Sequence, residues 1–409
     1  MDGAGSGARR HIDAESARAL QVDSQCVLGE LCAAVDDGLA ELAGPAVLSL
    51  SSAGSEAADL LAGLRACATA VVGAADFIAE RTGDIVATLP PATAAGLDGV
   101  DGSTLIERGL ATLQRMRGEP GSPGTGARLA SATGTSTADG WPPGETSYPV
   151  AKLPRLKRAR TIDDVAATFD EIIDWSIEFG HGLGYFATVY KRATLAIRDK
   201  VHAGDYFDDN ARMVRFDTVF AQRYFDALNA YFHPADYEAP THVWQWCFDG
   251  HEYDEPIILQ HMLTAVNSHV NLDLGIAAAM VGAGDMAALE ADFNRINTLL
   301  ADEVAIFLDT VAELSPRVKL IRRILPCEDP VLNHVLRIFR DLAWAFANQL
   351  DVHQRRRRAY IGIHDAWAAV LGSYYLHTSD TINRLVEWIA ETESRDVAHN
   401  IRVLDGRGN

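Results

Sequence analysis

The sequence predicts an all-α protein laid out as an N-terminal helical hairpin, a flexible linker and a multi-helix C-terminal domain. Three observations carry this. Apolar residues recur at helical spacing through the long segments, and period-two alternation bounded by turns is scarcely visible. Composition also changes twice along the 409 residues. Residues 1–115 are rich in Ala, Leu, Gly and Val with few aromatics, residues 116–158 are dense in Gly, Pro, Ser and Thr, and residues 159–403 are aromatic. The last segment holds all but one of the 13 histidines.

In the first segment, "AESARALQVDSQCVLGELCAAVDDGLAELAG" and "GSEAADLLAGLRACATAVVGAADFIAERTGDIVATL" each place apolar residues on one helical face, on either side of a break at "SLSSAGS". Two amphipathic stretches of similar length joined by a short break predict an antiparallel helical hairpin. Over residues 10–90 this arrangement resembles the small hairpin proteins of type VII secretion in actinobacteria, although their Trp-x-Gly turn is absent here. The resemblance implies a helical protein partner and export without a cleaved leader. The middle stretch cannot bury enough apolar surface to order itself and reads as a disordered linker. It includes most of the basic patch "KLPRLKRAR" that ends at Arg160.

The C-terminal domain opens on a capping signal, Thr161-Ile162-Asp163-Asp164, ahead of a helix that runs to the glycines at 180–184. A second helix is expected in "YFATVYKRATLAIRDKVHAG" and a third in "MVRFDTVFAQRYFDALNAYF", stopped by His233-Pro234. The fourth is expected to start at Pro256, favoured in a first helical turn, and to reach about Val281. Further helices are signalled by "MAALEADFNRINTLLADEVAIFLDTVAEL", by Asp329-Pro330 leading into "VLNHVLRIFRDLAWAFANQL", and by the two stretches that follow from Ala359.

The fourth helix contains "NSHVNLDL", where an apolar run carries Asn267, His269, Asn271 and Asp273 at every second position. On a helix each residue advances about 100°, so His269 and Asp273 fall about 40° apart, one turn from each other. Asn267 and Asn271 form a second such pair on another face. Burying such groups without hydrogen bonds costs roughly 2–7 kcal/mol each, so they need partners. Three readings stay open. The side chains form a hydrogen-bonded network that fixes helix packing; they form an acid–base or ligand-binding cluster; or His269 and Asp273 ligate a divalent metal. A His-x-x-x-Asp pair on a helix is similar to the ligand pairs of zinc-dependent phospholipases C, which use several; this chain offers one clear copy, since His377 to Asp380 is one residue too short.

Asp217 lies between Phe216 and Val219 on the third helix, whose apolar stripe should pack inward. Buried acids are rare unless paired, so a salt bridge to Arg223 or Arg192 is the expected role; a third ligand beside His269 and Asp273 is the alternative.

The run "PIILQHMLTAVNSHVNLDLGIAAA", with "YFATVYKRATLAIRD", "RFDTVFAQRYFDAL" and "RDLAWAFANQL", resembles an actinobacterial all-α family known only as a domain of unknown function, over about residues 160–350. The resemblance raises Asn267, His269, Asn271 and Asp273; Asp217, Arg223 and Tyr224; and Tyr185 and Tyr190. It implies no activity and no cofactor.

A formal charge of -20 argues against a nucleic-acid partner, which needs clustered Lys and Arg. One local exception, Arg355 to Arg358, could meet phosphate, an acidic partner or lipid headgroups, but reads as a solvated turn, and membrane association is not expected. Five cysteines without metal-type spacing point to reduced, buried thiols. No apolar run reaches the roughly 18 residues of a spanning helix, and a cytoplasmic location is expected, with type VII export as the alternative. No Walker loop, nucleophile elbow, dinucleotide fingerprint or His-Glu-x-x-His motif occurs. The expected function is that of an interaction or ligand-binding protein built around a buried polar cluster; the alternative is a metal- or acid–base-dependent hydrolase of a small or lipid-like substrate, using His269 and Asp273 with Asp217.

Overall fold

A computed structural model describes residues 152–251, 256–324, 328–376 and 386–407. The hairpin expected at 10–90 and the linker up to 151 lie outside the described residues, as do Cys26, Cys32, Cys67 and Cys327. Among the described residues the secondary structure is helical, with no strand: α1 (Ile162–Phe179), α2 (Leu183–Ala203), α3 (Asn210–Phe232), α4 (His242–His251), α5 (Ile258–Ser268), a π-turn (His269–Asp273), α6 (Leu274–Val281), α7 (Met286–Leu314), α8 (Pro316–Ile324), α9 (Glu328–Val352), a short 3-10 turn (Gln354–Arg356), α10 (Arg357–Leu376) and α11 (Val397–Leu404). The described residues from Lys152 to Arg323 and those from Phe339 onward group into one unit, whose packing is described below.

Residues 152–160, which composition assigns largely to the linker, are docked rather than free. Their apolar residues recur every third position, and Leu153, Leu156 and Ala159 are all buried. The Asn229 amide of α3 fixes the register, donating to the Leu156 carbonyl at 3.0 Å and accepting the Leu156 N–H at 2.9 Å. Gln222 accepts the Ala159 N–H at 2.9 Å. Backbone groups here find side-chain partners in place of a ladder, which meets the demand that buried N–H and C=O groups be paired.

The capping signal at Thr161 forms as expected. Its hydroxyl accepts the Asp164 N–H at 3.1 Å and the Asp164 carboxylate accepts the Thr161 N–H at 3.0 Å, so two orphan donors are satisfied reciprocally. Helix α1 ends at Gly180, whose φ of 63° is the left-handed cap that glycine adopts without steric cost. It then packs along α2, while α11 closes over both.

Helix α4 is absent from the sequence-based expectation. It begins at His242, where Thr241 holds the N-cap position but its hydroxyl bonds no protein group. Asp365, on α10, supplies the cap across the fold, its two oxygens accepting the Val243 and His242 N–H groups at 2.9 Å each, with His242 Nδ1 at 2.8 Å. The His364-Asp365 dipeptide therefore divides its work. Asp365 is a helix cap, whereas His364 is half-buried against the Phe346 ring at 3.6 Å, where desolvation pushes its pKa down to about 3.

The expected single helix from Pro256 to Val281 is α5, the π-turn and α6 in succession, starting two residues later than Pro256. Its buried length runs through the centre of the unit, meeting α3, α4, α9 and α10. Gly275 is where α9 comes nearest: a Cβ there would lie 2.5 Å from the Phe346 ring and 2.8 Å from the Ala343 carbonyl. Two arginines cover the carbonyl end of α6, Arg215 donating to Val281 at 2.8 Å and Arg357 to Ala279 at 3.4 Å, as favours a helix C-terminus.

Gly275→Ala is therefore expected to force α9 away from α6 and to lower the unfolding free energy by about 1–3 kcal/mol, the usual cost of overpacking a close helix contact. Urea unfolding followed by tryptophan fluorescence checks this; a variant as stable as the parent would mean that α9 does not approach so closely.

Candidate functional site

The four polar residues of "NSHVNLDL" sit on the one stretch where the helix changes pitch. Between α5 and α6 the chain opens into a π-turn, and the Leu274 N–H bonds back five residues to the His269 carbonyl. Such turns are uncommon and recur at functional sites, because one extra residue per turn displaces side chains from the ordinary helical stripe. The two expected pairs form here. Asn271 donates to Asn267 Oδ1 at 2.9 Å, and His269 Nδ1 lies 3.3 Å from Asp273 Oδ2.

The asparagine pair serves packing. Asn267 also donates to the Ala368 carbonyl of α10 at 2.8 Å, and Gly372 on the same helix leaves it the room to do so. The other pair is the centre of a larger cluster. Asp273 is fully buried and accepts three donors: Arg223 Nε of α3 at 2.9 Å, Trp244 Nε1 of α4 at 2.7 Å, and the His269 ring. Burial alone would raise its pKa, but the guanidinium, the imidazole and the indole N–H outweigh it and hold Asp273 below the ordinary carboxylate range. It is a charged group in the interior, compensated on each side.

His269 is neutral. Burial lowers its pKa more than the Asp273 bond and charge raise it. A neutral ring beside an ionised carboxylate carries its proton on Nδ1, which leaves Nε2 as a hydrogen-bond acceptor. Nε2 is buried and has no protein partner. Aromatic rings enclose it: Phe220 stacks on the imidazole at 3.7 Å, Tyr190 lies at 4.6 Å and Phe186 at 5.6 Å, with Trp244 and Tyr224 just beyond.

Asp217 departs from the expectation of a salt bridge. Arg223 is taken by Asp273 and Arg192 by Glu303, and both Asp217 oxygens are buried without a protein hydrogen-bond partner. Burial, with no opposing partner, pushes its pKa up to about 7. Asp217 shares a face of α3 with Phe220 and Tyr224, three and seven residues on, and both of these touch His269. The Tyr190 phenol of α2 faces the same region: burial first, then the charges of Asp217 and Asp273, hold its pKa far up, so it stays a hydroxyl. Its oxygen, that of Tyr224, and the Thr194 hydroxyl one turn along α2 are likewise buried without protein partners.

The site thus gathers Tyr190, Asp217, Arg223, Tyr224, His269 and Asp273 from the sequence-based set and leaves Tyr185 elsewhere. That phenol accepts the Asn400 amide of α11 at 3.3 Å and packs against His261 at 5.6 Å, on another face of α2. Trp244, Phe220 and Thr194 join the site unforeseen. The signal for Trp244 was present as Val243, Trp244, Cys247 and Phe248, all buried and helically spaced behind Thr241, but a segment of ten residues is too short for periodicity to announce it. Cys247 is a free thiol whose pKa burial pushes up to about 12, so it is unreactive packing.

As a metal centre the cluster is short of ligands. Among the described residues no three His, Cys, Asp or Glu side chains gather closely enough to hold an ion. Nδ1 of His269 is spent donating to Asp273, and both oxygens of Asp273 already accept protein donors, whereas a closed zinc site takes three or four ligands.

Compared with known proteins, the chain matches the model of one family, a family of unknown function (DUF5995), over residues 162–378. That span contains every residue of the Asp273 cluster. No curated protein and no solved structure matches the chain.

The two buried aspartates should respond to pH with opposite signs. The folded pKa of Asp217, about 7, stands above the unfolded value near 3.8, so its protonation favours the fold below that lower value and the benefit is lost as pH rises through 7. Asp217→Asn should thus raise the melting temperature at pH 8, where the buried charge costs about 4 kcal/mol, and change it little at pH 4. The depressed pKa of Asp273 contributes stability above 3.8 that is lost as pH falls through its folded value. Asp273→Asn should cost about 3–5 kcal/mol at pH 7 and less in acid, because it strands Arg223 and two N–H donors. Differential scanning calorimetry of both variants across pH 3–9 tests this; parallel profiles would refute the assignment.

Proposed function

We propose that the chain, which belongs to the DUF5995 family, is a ligand-binding protein, and that the ligand is a small donor-rich or cationic group held between Asp217, Tyr190 and His269 Nε2. The observation that carries this is a contrast among four aspartates buried in the described residues. Asp273 accepts three donors, Asp292 accepts the Asp208 and Asp209 N–H groups and two arginines, and Asp365 caps α4; Asp217 accepts none. A buried acid without a partner destabilises the fold, and residues kept at such a cost belong to function more often than to packing.

The chemistry of the surrounding atoms favours a donor. The carboxyl of Asp217 and Nε2 of His269 are acceptors, the hydroxyls of Tyr190 and Thr194 can accept, and the faces of Phe220 and Tyr190 attract positive charge. An ammonium or guanidinium group matches that set better than an anion, which would meet Asp217 and the negative potential of Asp273.

Mass spectrometry of the small molecules released on denaturing the purified protein, with a thermal-shift panel of ammonium, alkylammonium and guanidinium salts at pH 8, tests the reading. At least one cation is expected to raise the melting temperature of the wild type and to leave Asp217→Asn unmoved. No released molecule and no cation-dependent shift would leave Asp217 as a structural cost alone.

One observation favours a second reading. His269 is oriented by Asp273 through Nδ1 with Nε2 unspent, the arrangement of a general base and its orienting acid. Hydrolysis of short- and long-chain nitrophenyl esters or phosphates that falls at least a hundredfold in His269→Gln, with the fold intact, would favour this hydrolase; equal rates in both proteins would remove it.

A further inference from the structure

We infer that the turn joining α9 to α10 docks the protein on an anionic lipid surface. The sequence alone makes Arg355 to Arg358 an ordinary solvated run; their surroundings in the fold change that reading. Arg355, Arg356 and Arg358 make no ion pair with any described residue, although the chain carries 56 acidic residues. Arg357 is spent on the Ala279 carbonyl. The nearest acid along the chain, Asp351, accepts the Gly284 N–H at 3.2 Å.

The arginines also stand where electrostatics disfavours them. They occupy the 3-10 turn and the first residues of α10, the positive end of a 20-residue helix, and they repel one another. The carbonyl end of α9, which closes at Val352 just before the run, offsets this only in part. An external negative charge would complete it.

The kind of charge follows from what flanks the run. Val352, 57% exposed, precedes it, and Met280, 50% exposed, is brought beside it by the Arg357–Ala279 and Asp351–Gly284 bonds. Two exposed aliphatic side chains beside three unpaired arginines form a surface of mixed character: cations for headgroup phosphates and apolar groups for the acyl boundary. The overall charge of -20 opposes such contact only weakly, because charges more than about 8 Å from the surface are screened at physiological salt. Each cation close to an anionic leaflet strengthens binding about fivefold, so the three unpaired arginines together contribute about a hundredfold, to which the two apolar side chains add.

Co-sedimentation of the full chain with vesicles of phosphatidylcholine containing about 30% phosphatidylglycerol, against pure phosphatidylcholine, tests this at low and high salt. Binding is expected to the anionic vesicles alone and to be lost at high salt. The triple variant Arg355→Gln, Arg356→Gln, Arg358→Gln should bind about a hundredfold more weakly. The pair Val352→Ser, Met280→Ser should weaken it about tenfold. Lys157→Gln, Arg158→Gln, Arg160→Gln, exposed cations elsewhere, should bind as the wild type does. The three arginines make no side-chain hydrogen bond or ion pair with described residues, and an unchanged unfolding midpoint shows that the variant is folded. Wild-type protein that stays in the supernatant, a triple variant that binds undiminished, equal loss in the Lys157 set, or full displacement by soluble polyglutamate would each overturn the inference. The last outcome would reassign the patch to an acidic protein.

Discussion

The buried charge of Asp273 is the constraint around which the other elements are arranged. An ionised carboxylate removed from water costs several kcal/mol unless its oxygens are met by donors in good geometry, and one helix cannot supply those donors by itself. Here α3 brings Arg223, α4 brings Trp244, and the turn that carries Asp273 brings His269. Three separate elements are thereby committed to one position. The aromatic rings of Phe186, Tyr190, Phe220 and Tyr224 then close around the imidazole, so much of the core on this side is packed about a polar centre. Such a centre adds less to stability than to uniqueness, since a slip of one helix against its neighbours breaks three charge-assisted bonds at once.

Where the chain's chemistry is local, it was legible. The Thr161 capping box, the Gly180 stop and the pairing of residues four apart in "NSHVNLDL" are fixed by spacing alone, and all three occur. The salt bridge expected of α3 forms at Arg223, though with Asp273 of the motif. The expectation failed for Asp217, for a physical reason: the rule that buried acids are paired describes stability, and Asp217 stands outside it. Helix α4 and Trp244 stayed hidden because their start is capped by a carboxylate from α10 that no local pattern announces. Residues 152–160 were hidden because composition cannot distinguish a loose segment from an extended one whose backbone is bonded by Asn229 and Gln222. The π-turn likewise has no signature in periodicity, since it inserts one residue without altering the apolar pattern on either side.

The same cluster thus holds two kinds of polar group. Those on Asp273 are matched atom for atom, and those on Asp217, Tyr190 and the far side of His269 are not. A purely structural network gains nothing from the second kind, because a half-satisfied polar interior is worse than an apolar one. The matched half acts as a clamp that fixes the imidazole in one tautomer and one orientation; the unmatched half is what that orientation presents. Arg223 links the two halves to solvent, being the charged member of the clamp with part of its side chain exposed.

The Asp365 cap sets an order on the growing chain. The first N–H groups of α4 find their acceptor more than 120 residues downstream, so during synthesis the Trp244 helix emerges long before the carboxylate that stabilises its start. Until α10 is made, α4 lacks the acceptor for its first N–H groups and one of the helices that hold Trp244 within reach of Asp273. The centre of the domain is therefore completed late, by a contact of high sequence separation, and the half-made chain must hold exposed aromatic surface meanwhile. A nascent chain of this kind depends on the delay between its two halves, and truncation ahead of Asp365 removes more than the residues it deletes.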